Sequence, residues 1–545
     1  MKNIFLFTLS CILIGARASN AEKLKVDGNF LSPAQKSLTF SHSLAGNSAL
    51  KDKFAFSGKF PLGINLAKDV SWSNSKMWVN VVKGARDWGY VDRPYEKDPN
   101  LKLSEKGYPL SDAGLWFEGL EYQPGVWQFS YKGSGDISFT FGGTLLSTTR
   151  EADGTVTGTF LRSDRKTSDG ELDSVHLIMR NIDPDNPPYD LKVVASGYDL
   201  NSPDVFTTEF LDFVKPFKIL RYMDLLETNH SSVKTWSDRI KPDAPGSGVA
   251  YEDLIELSNI TNKEAWITLP HLADDEHIRQ TARLFAQKYD RDLNLYLENS
   301  NELWNWVFDQ TYDLHNSILD QLMAAENLTE AEAIANKDHE QLPQKAVVDR
   351  LCHIADIFRQ EFGDRADRIK PVLAGQASNS WHISKGLEHL TATSRQSSCN
   401  LHAIAIAPYI DTYDGEDFNP NSVDEVFSSM REYYEAEIKP QITEHAELAK
   451  NYNLKLYAYE GGQHLTGSDA LEIKTAAQND PRMGQLLQDY FCFWKESGGE
   501  DFVYYSSISG NSEDGHWGVK TSISQKESVK HQALIDTIEK GACTK

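Results

Sequence analysis

From Gly63 onward, short apolar runs alternate with amphipathic stretches. Strands buried on both faces read as unbroken apolar runs, and the helices that cover them carry apolar residues at spacings of three and four. Eight runs predict strands: Leu62–Leu66, Phe217–Met223, Ala265–Leu269, Leu293–Glu298, Pro371–Gly375, Ala403–Ala407, Leu456–Tyr459 and Phe502–Ser506. Tyr251–Asn259, Asp275–Lys288, Lys345–Phe362, Val423–Lys439 and Met483–Ser497 have helical periodicity. Eight strands with intervening helices close most naturally into a (β/α)8 TIM barrel. An open doubly wound sheet would want a glycine-rich phosphate loop after the first strand, and the string GINLAKD is not one. At 545 residues and 40% hydrophobic content, the chain can hold a barrel of about 250 residues and a further domain.

Two insertions interrupt the rhythm. Between the first and second strands, Gly114 to Tyr198 reads as six short runs with alternating polarity, separated by Gly and Asp turns. That pattern predicts an inserted all-β, sandwich-like domain in an otherwise α/β chain. The second insertion, Tyr312 to Lys345, is acidic and helical, most simply a solvated helix face. The resulting division is residues 1–21 as a signal peptide, 22–100 as an N-terminal segment with the first barrel strand, 101–204 as the inserted domain, and 205–545 as the rest of the barrel.

Lys2, the apolar stretch Ile4 to Ile14 and the small-x-small site Ala16-Arg17-Ala18 have the layout of a secretory signal, with Ala21 an alternative cleavage point. No later run reaches 18 apolar residues, so the mature chain is not expected to insert in a membrane and should be secreted or periplasmic. The formal charge of −24 disfavours nucleic acid and anionic membranes as partners. After the signal, Cys352, Cys399, Cys492 and Cys543 remain, without a CxxC; an oxidising compartment allows three pairings among them.

In a barrel of this kind the chemistry sits at the C-terminal ends of the strands. The strand ends offer Asn65, Arg221 and Asp224, then His271 with Asp274 and Asp275, then Asn301-Glu302, Tyr409, Glu460 with Gly461-Gly462-Gln463-His464, and the run to Trp517. Glu302 and Glu460 leave the fourth and seventh strands, across the barrel from each other. Two carboxylates facing one cleft suit glycoside hydrolysis, in which one protonates the leaving oxygen while the other attacks the anomeric carbon or activates water. Arg221 and Tyr409 are expected to hold Glu460 ionised. Trp304 and Trp306, close to Glu302 in sequence, are expected to keep it protonated as a general acid.

The run Glu298-Asn299-Ser300-Asn301-Glu302 resembles the end of the fourth strand in clan A glycoside hydrolases, the cellulase-like superfamily, and the string YEGG resembles that clan's nucleophile strand. The resemblance covers roughly 62–95 and 205–535. It implies Glu302 as acid/base, Glu460 as nucleophile, a retaining mechanism without cofactor, and a polysaccharide or oligosaccharide substrate. It also implies Asn301 at the sugar 2-hydroxyl, with Arg221, His271, Tyr409 and Trp517 as supporting residues. Two departures stand out: Leu303 where Pro is frequent, and the Gly461-Gly462 pair. The strings HLADD, ENSNELWNW and YEGGQH also resemble those of secreted bacterial proteins sometimes labelled cellulose-binding.

The expected substrate contacts are therefore Asn301, Arg221, His271, Tyr409, Trp304, Gln463, His464 and Trp517. Each admits a plainer role: a barrel-mouth ion pair for Arg221, a capped structural ring for His271, core packing for the tryptophans. Glu298 points the same way as Glu302 if the strand alternates, and reads as a buried hydrogen-bonding partner. Two rival functions remain open, a non-catalytic carbohydrate-binding barrel and a metal-dependent hydrolase or lyase built on His271, Asp274, Asp275 and His277. The Asp pair also fits the opening of the next helix, where carboxylates cap the N-terminus.

Overall fold

The structure, a computed structural model, describes residues 53–543 apart from Pro94, Asp169, Ser247 and 336–340. The signal-peptide reading lies outside the described residues. In chain order, β1 (Leu62–Asn65) is followed by the inserted strands β2 (Ala113–Phe117), β3 (Gly125–Lys132), β4 (Asp136–Phe141), β5 (Gly143–Arg150), β6 (Val156–Arg162), β7 (Val175–Arg180) and β8 (Tyr189–Val194). Then come β9 (Ile219–Arg221), β10 (Glu264–Leu269), β11 (Leu295–Asn299), β12 (Ile369–Ala374), β13 (Ala403–Ile406), β14 (Lys455–Ala458) and β15 (Gly499–Tyr504). β1 and β9 to β15 form a closed barrel in the order β1-β15-β14-β13-β12-β11-β10-β9, all pairs parallel.

Alternation along each strand sorts the side chains. Ala265, Ile267, Leu295 and Leu297 face outward into the layer between barrel and helices. Trp266, Tyr296, Tyr457 and Tyr459 face inward, and the small Ala403 and Ala405 of β13 leave room for these rings. Helix Asp275–Lys288 is representative of the cover: Ile278, Ala282 and Phe285 are buried on one face, and Asp274 caps its N-terminus by accepting from the His277 N–H at 2.7 Å. Each large apolar side chain buried in this way contributes about 1.5–3 kcal/mol.

The predicted strands recur with shifted ends, most at the eighth, which begins at Gly499 rather than Phe502. The helix predicted to stop at Lys439 passes through a π turn at Tyr434–Ile438 and continues to Asn451. Pro440, which has no backbone N–H to donate, lies just after the π turn. The acidic second insertion is helical over Asp309–Glu326 and Glu330–Ile334.

The first insertion is two antiparallel sheets, β2-β7-β4 and β5-β6-β3-β8, which share a core containing Leu115, Phe117, Trp127, Phe139, Phe160 and Leu177. Phe139 and Phe160 stack across it with centroids 4.0 Å apart. Six runs were expected and seven strands form. The additional one, β5, is an edge strand whose Ser-, Thr- and Arg-rich sequence is largely exposed, so it carries no hydrophobic alternation. Of the three pairings open to the cysteines, the structure has Cys352–Cys399 and Cys492–Cys543. Among the described residues no helix is long and apolar enough to cross a membrane.

Candidate active site

Arg221, the last residue of β9, is fully buried at the centre of the barrel mouth. A guanidinium has five N–H donors, and all five are used. Nε and one Nη2 hydrogen go to Glu298 Oε2 at 3.1 and 2.9 Å, and the second Nη2 hydrogen goes to Asn301 Oδ1 at 2.8 Å. Nη1 donates to Asn65 Oδ1 at 2.9 Å and to Glu460 Oε1 at 2.7 Å. Asn65 in turn donates to the Tyr459 carbonyl at 3.0 Å, and Trp266 Nε1 donates to Glu298 Oε2 at 2.8 Å. Burial alone would push the Arg221 guanidinium down; Glu298 and Glu460 more than offset it and hold the group above its usual value. The expectation that Arg221 contacts substrate is thus corrected: with every donor engaged, it positions Glu460 and Asn301.

Glu460 follows β14. Its second oxygen, Oε2, accepts from Tyr409 Oη at 2.8 Å. The adjacent glycine pair has a steric cause. Gly461 and Gly462 have φ of +153° and +133°, and a Cβ on them would lie 2.6 Å from the Phe502 and Tyr504 rings of β15. Only glycine lets this turn close against its neighbour strand.

Glu302 stands on a turn in which Ser300 and Glu302 themselves have φ of +60° and +45°. Non-glycine residues held there cost on the order of 1–3 kcal/mol each and persist only where the surroundings enforce them. The start of helix Asp309–Glu326 does so: Gln310 Nε2 donates to the Asn301 carbonyl at 3.0 Å, and Thr311 Oγ1 donates to the Asn305 carbonyl at 2.8 Å and the Glu302 carbonyl at 3.3 Å. The carboxylate accepts from Tyr459 Oη on Oε1 at 2.9 Å and from Asn305 Nδ2 on Oε2 at 2.9 Å. Burial, then the nearby charge of Glu460, pushes the Glu302 carboxyl up to about 7, against those two hydrogen bonds.

A third carboxyl, Asp224, accepts from Tyr505 Oη at 3.1 Å and is pushed up to about 6, by burial first and then by Glu460. Rings fence this side of the mouth: Tyr409 against His464 (centroids 5.3 Å), His464 against Trp517 (5.6 Å), Trp517 against Tyr505 (5.7 Å) and Tyr505 against Tyr409 (6.3 Å). Trp517 Nε1 donates to His464 Nδ1 at 3.2 Å, and burial lowers the imidazole below its usual value.

The barrel mouth therefore brings together Glu302, Glu460, Asn301, Arg221, Tyr409, His464 and Trp517. Asn301 also donates to Asn229 Oδ1 at 3.1 Å, and one amide N–H lies outside these bonds. Trp304 is half-buried and lines a cavity shared with Glu298 and Glu302. Two expected contacts stand apart. Gln463 is fully buried; its Nε2 donates to the His516 carbonyl and its Oε1 accepts from the Leu465 N–H at 3.2 Å, so it ties two loops together and does not face a substrate. The His271 ring is bonded through Nε2 to Asp313 at 2.8 Å, and no hydrogen bond joins it to the carboxylate pair. The histidine-aspartate group proposed as a metal centre disperses in the same way. Asp274 caps a helix, Asp275 pairs with Arg350 and His353 at 2.8 Å each, and the His277 ring is buried between the Thr235 carbonyl and Tyr251.

Sequence reading passed over Tyr459, Asn305, Gln310, Thr311 and Asn229. Tyr459 had a usable signal, since it shares its strand face with Tyr457, which points into the barrel. The others owe their places to tertiary contacts with no periodicity of their own.

No family model matches the sequence, and no curated protein does. Similar solved structures include a GH5-4 broad specificity endoglucanase from Clostridum cellulovorans, at 11% identity over 64% of this chain and 90% of that one, TM-score 0.35. An endo-1,4-beta-xylanase from Caldicellulosiruptor owensensis has 12% identity, 60% and 91% coverage and a TM-score of 0.32. Native xylanase 10B from Thermotoga maritima has 10% identity, 61% and 90% coverage and a TM-score of 0.33.

Proposed function

We propose that this chain is a retaining glycoside hydrolase acting on a polysaccharide or oligosaccharide, with Glu302 as acid/base and Glu460 as nucleophile. The observation that carries the proposal is the contrast between the two carboxyls. Glu460 is gripped by a buried cation and a phenol. Glu302 has only neutral donors and is pushed up to about 7, first by burial, which leaves it a proton to give near neutrality. The likeness of the strand ends to clan A supports double displacement. Glu460 attacks the anomeric carbon while the Glu302 proton passes to the departing oxygen and the glycosidic bond breaks, leaving a glycosyl ester on Glu460. Water then attacks the same carbon, gives its proton to Glu302 and releases the Glu460 carboxylate. Asn301 is the candidate contact to the sugar beside the reacting centre. Tyr409, like Arg221, holds the nucleophile, and Trp304, Trp517 and His464 are candidate ring and rim contacts.

The same proposal has residues 1–21 removed on export and the mature chain working outside the cytoplasm. The two disulfides support an oxidising compartment. The test is reducing-sugar release by the mature protein over a broad glycan panel, beside Glu302→Gln and Glu460→Gln, with the first-formed anomer read by proton NMR. Turnover abolished by both substitutions, with the anomer retained, is expected. Turnover indifferent to both, or an inverted anomer, overturns the scheme.

A further inference from the structure

Beside the catalytic turn, a groove of about 660 Å³ runs between two segments that the fold brings together from different places. One wall is the stretch 87–107, which leads into the inserted sheets; the other is the loop 226–246 that follows β9. Two crevices of similar size, one reaching Lys288 and one beside His531, share no residue with the strand ends that carry the carboxylates. This groove does have a link to them. Asn229 lines it and accepts on one oxygen from Asn301 Nδ2 at 3.1 Å and from Gln310 Nε2 at 2.8 Å. Gln310 Oε1 accepts from the next backbone N–H, that of His230, at 3.0 Å. The half-buried Asn229 amide and the buried Gln310 amide thus join the groove to the turn that presents Asn301 and Glu302.

The loop's conformation is enforced rather than relaxed. Glu227 and His230 have φ of +49° and +57° on either side of Asn229. Left-handed non-glycine residues of this kind concentrate where a segment has a role beyond connection. The lining chemistry narrows that role. The groove's charges are largely satisfied internally: Lys68 with Glu227 at 2.8 Å, Lys97 with Asp87 at 2.8 Å, and Lys241 Nζ on the Ser237 carbonyl at 2.8 Å. Arg239 pairs with Glu252 at 2.9 Å, and Asp98 and Asp238 accept from backbone N–H groups; the rest of the lining includes hydroxyl-bearing and apolar surface such as Ser104, Ser232, Leu103 and Ile240. Such a wall suits a ligand with hydroxyl edges and apolar C–H faces, and a chain at −24 disfavours a polyanion.

We infer that the groove between 87–107 and 226–246 is a binding site for the part of an uncharged polysaccharide chain that extends beyond the reacting sugar. The inference rests on the hydrolase reading for its orientation toward Asn301, and it assigns the segment leading into the insertion the task of walling the substrate path. A ligand bound there engages several sugar units, so the enzyme acts on polymers in preference to short glycosides.

The test is binding, which does not require turnover. The Glu302→Gln protein is run in native gels containing hydroxyethylcellulose, arabinoxylan, galactomannan or polygalacturonate. Ser232 is exposed on the groove wall, and Ser232→Trp plugs it. Retardation by at least one neutral polymer and none by polygalacturonate is expected, with affinity falling about tenfold or more in Ser232→Trp. Ser232→Cys, coupled after folding to a bulky maleimide, repeats the block on an already folded chain, since Cys352, Cys399, Cys492 and Cys543 are all paired. Equal retardation of blocked and open protein overturns the inference, as does retardation by none of the neutral polymers. Groove-dependent binding by a protein whose wild type hydrolyses nothing leaves the groove standing and fails the hydrolase reading alone.

Discussion

The turns that carry Glu302 and Glu460 present the same side chain to the same cleft, yet they are built in opposite ways. The Glu460 turn is made by glycines that let β14 close on β15, and its carboxylate is tied to the buried cation Arg221. The Glu302 turn is made by strained non-glycine residues clamped by a helix start, and its carboxyl meets only Tyr459 and Asn305. On the proposed assignment, what separates the acid from the nucleophile is the partner set, not the residue type. The largest effects should come from removing each carboxyl. Glu302→Ala and Glu460→Ala should each cost about 10²–10⁴-fold or more on a natural glycoside. Azide should restore turnover of an activated aryl glycoside in both, giving a glycosyl azide of retained configuration from the first and inverted configuration from the second. NMR of the azide product reads the outcome, and the same configuration from both variants would erase the distinction between the two turns.

Arg221 tests the other half of the contrast. Its removal strands Glu298 and Glu460 without their cation in a buried setting, a change that usually costs about 3–5 kcal/mol. Arg221→Met should lower the urea midpoint accordingly, and adding Glu298→Gln should recover part of the loss. Full stability in Arg221→Met would mean that the Glu460 side draws its order from elsewhere.

A smaller effect belongs to the proton on Glu302. Its carboxyl in the folded chain lies at about 7 against an ordinary 4.5, so the native state holds the proton longer than the unfolded state does. The stabilisation is complete below about pH 4.5 and is lost as pH rises through about 7. Glu302→Gln should therefore melt progressively higher relative to wild type across that interval, and the difference should level off above it. Tyr459→Phe removes a hydrogen bond that holds the carboxyl down, so the alkaline limb of activity should move to higher pH. A limb that moves down, or stays put, would show that Tyr459 does not govern this proton.

How far the sequence announces these features follows from their physics. The eight barrel strands are legible because each is buried on both faces and the helices between them keep strict apolar spacing. The pair Glu302 and Glu460 is legible because strand ends define the barrel mouth. The edge strand β5 is silent because nothing on it is buried in a pattern. Gln310 and Asn229 are silent for a different reason: 81 residues apart, they meet only once the barrel has closed. Arg221 was legible as a residue of the site but not as one with every donor spent, since that depends on counting four partner residues from three other segments.

The finest contrast lies between adjacent residues. Gln463 and His464 follow the same glycine pair, and strand-like alternation turns one toward the protein and the other toward the mouth. Gln463 locks the loop after Gly462 to the His516 carbonyl, which Lys530 also serves. Removing the Gln463 amide leaves the buried Leu465 N–H without its acceptor, which should cost about 1–3 kcal/mol. Gln463→Ala should thus lower the melting temperature while leaving KM nearly unchanged at a temperature where the protein stays folded. His464 packs on Tyr409 and Trp517 at the rim. His464→Ala should instead raise KM several-fold, with a loss of stability no larger than the about 1–3 kcal/mol expected for the Trp517 Nε1 donor it leaves without a partner. If both variants move only stability, the rim ring is scaffolding, and the surface proposed to face the sugar narrows to Asn301, Trp304 and Trp517.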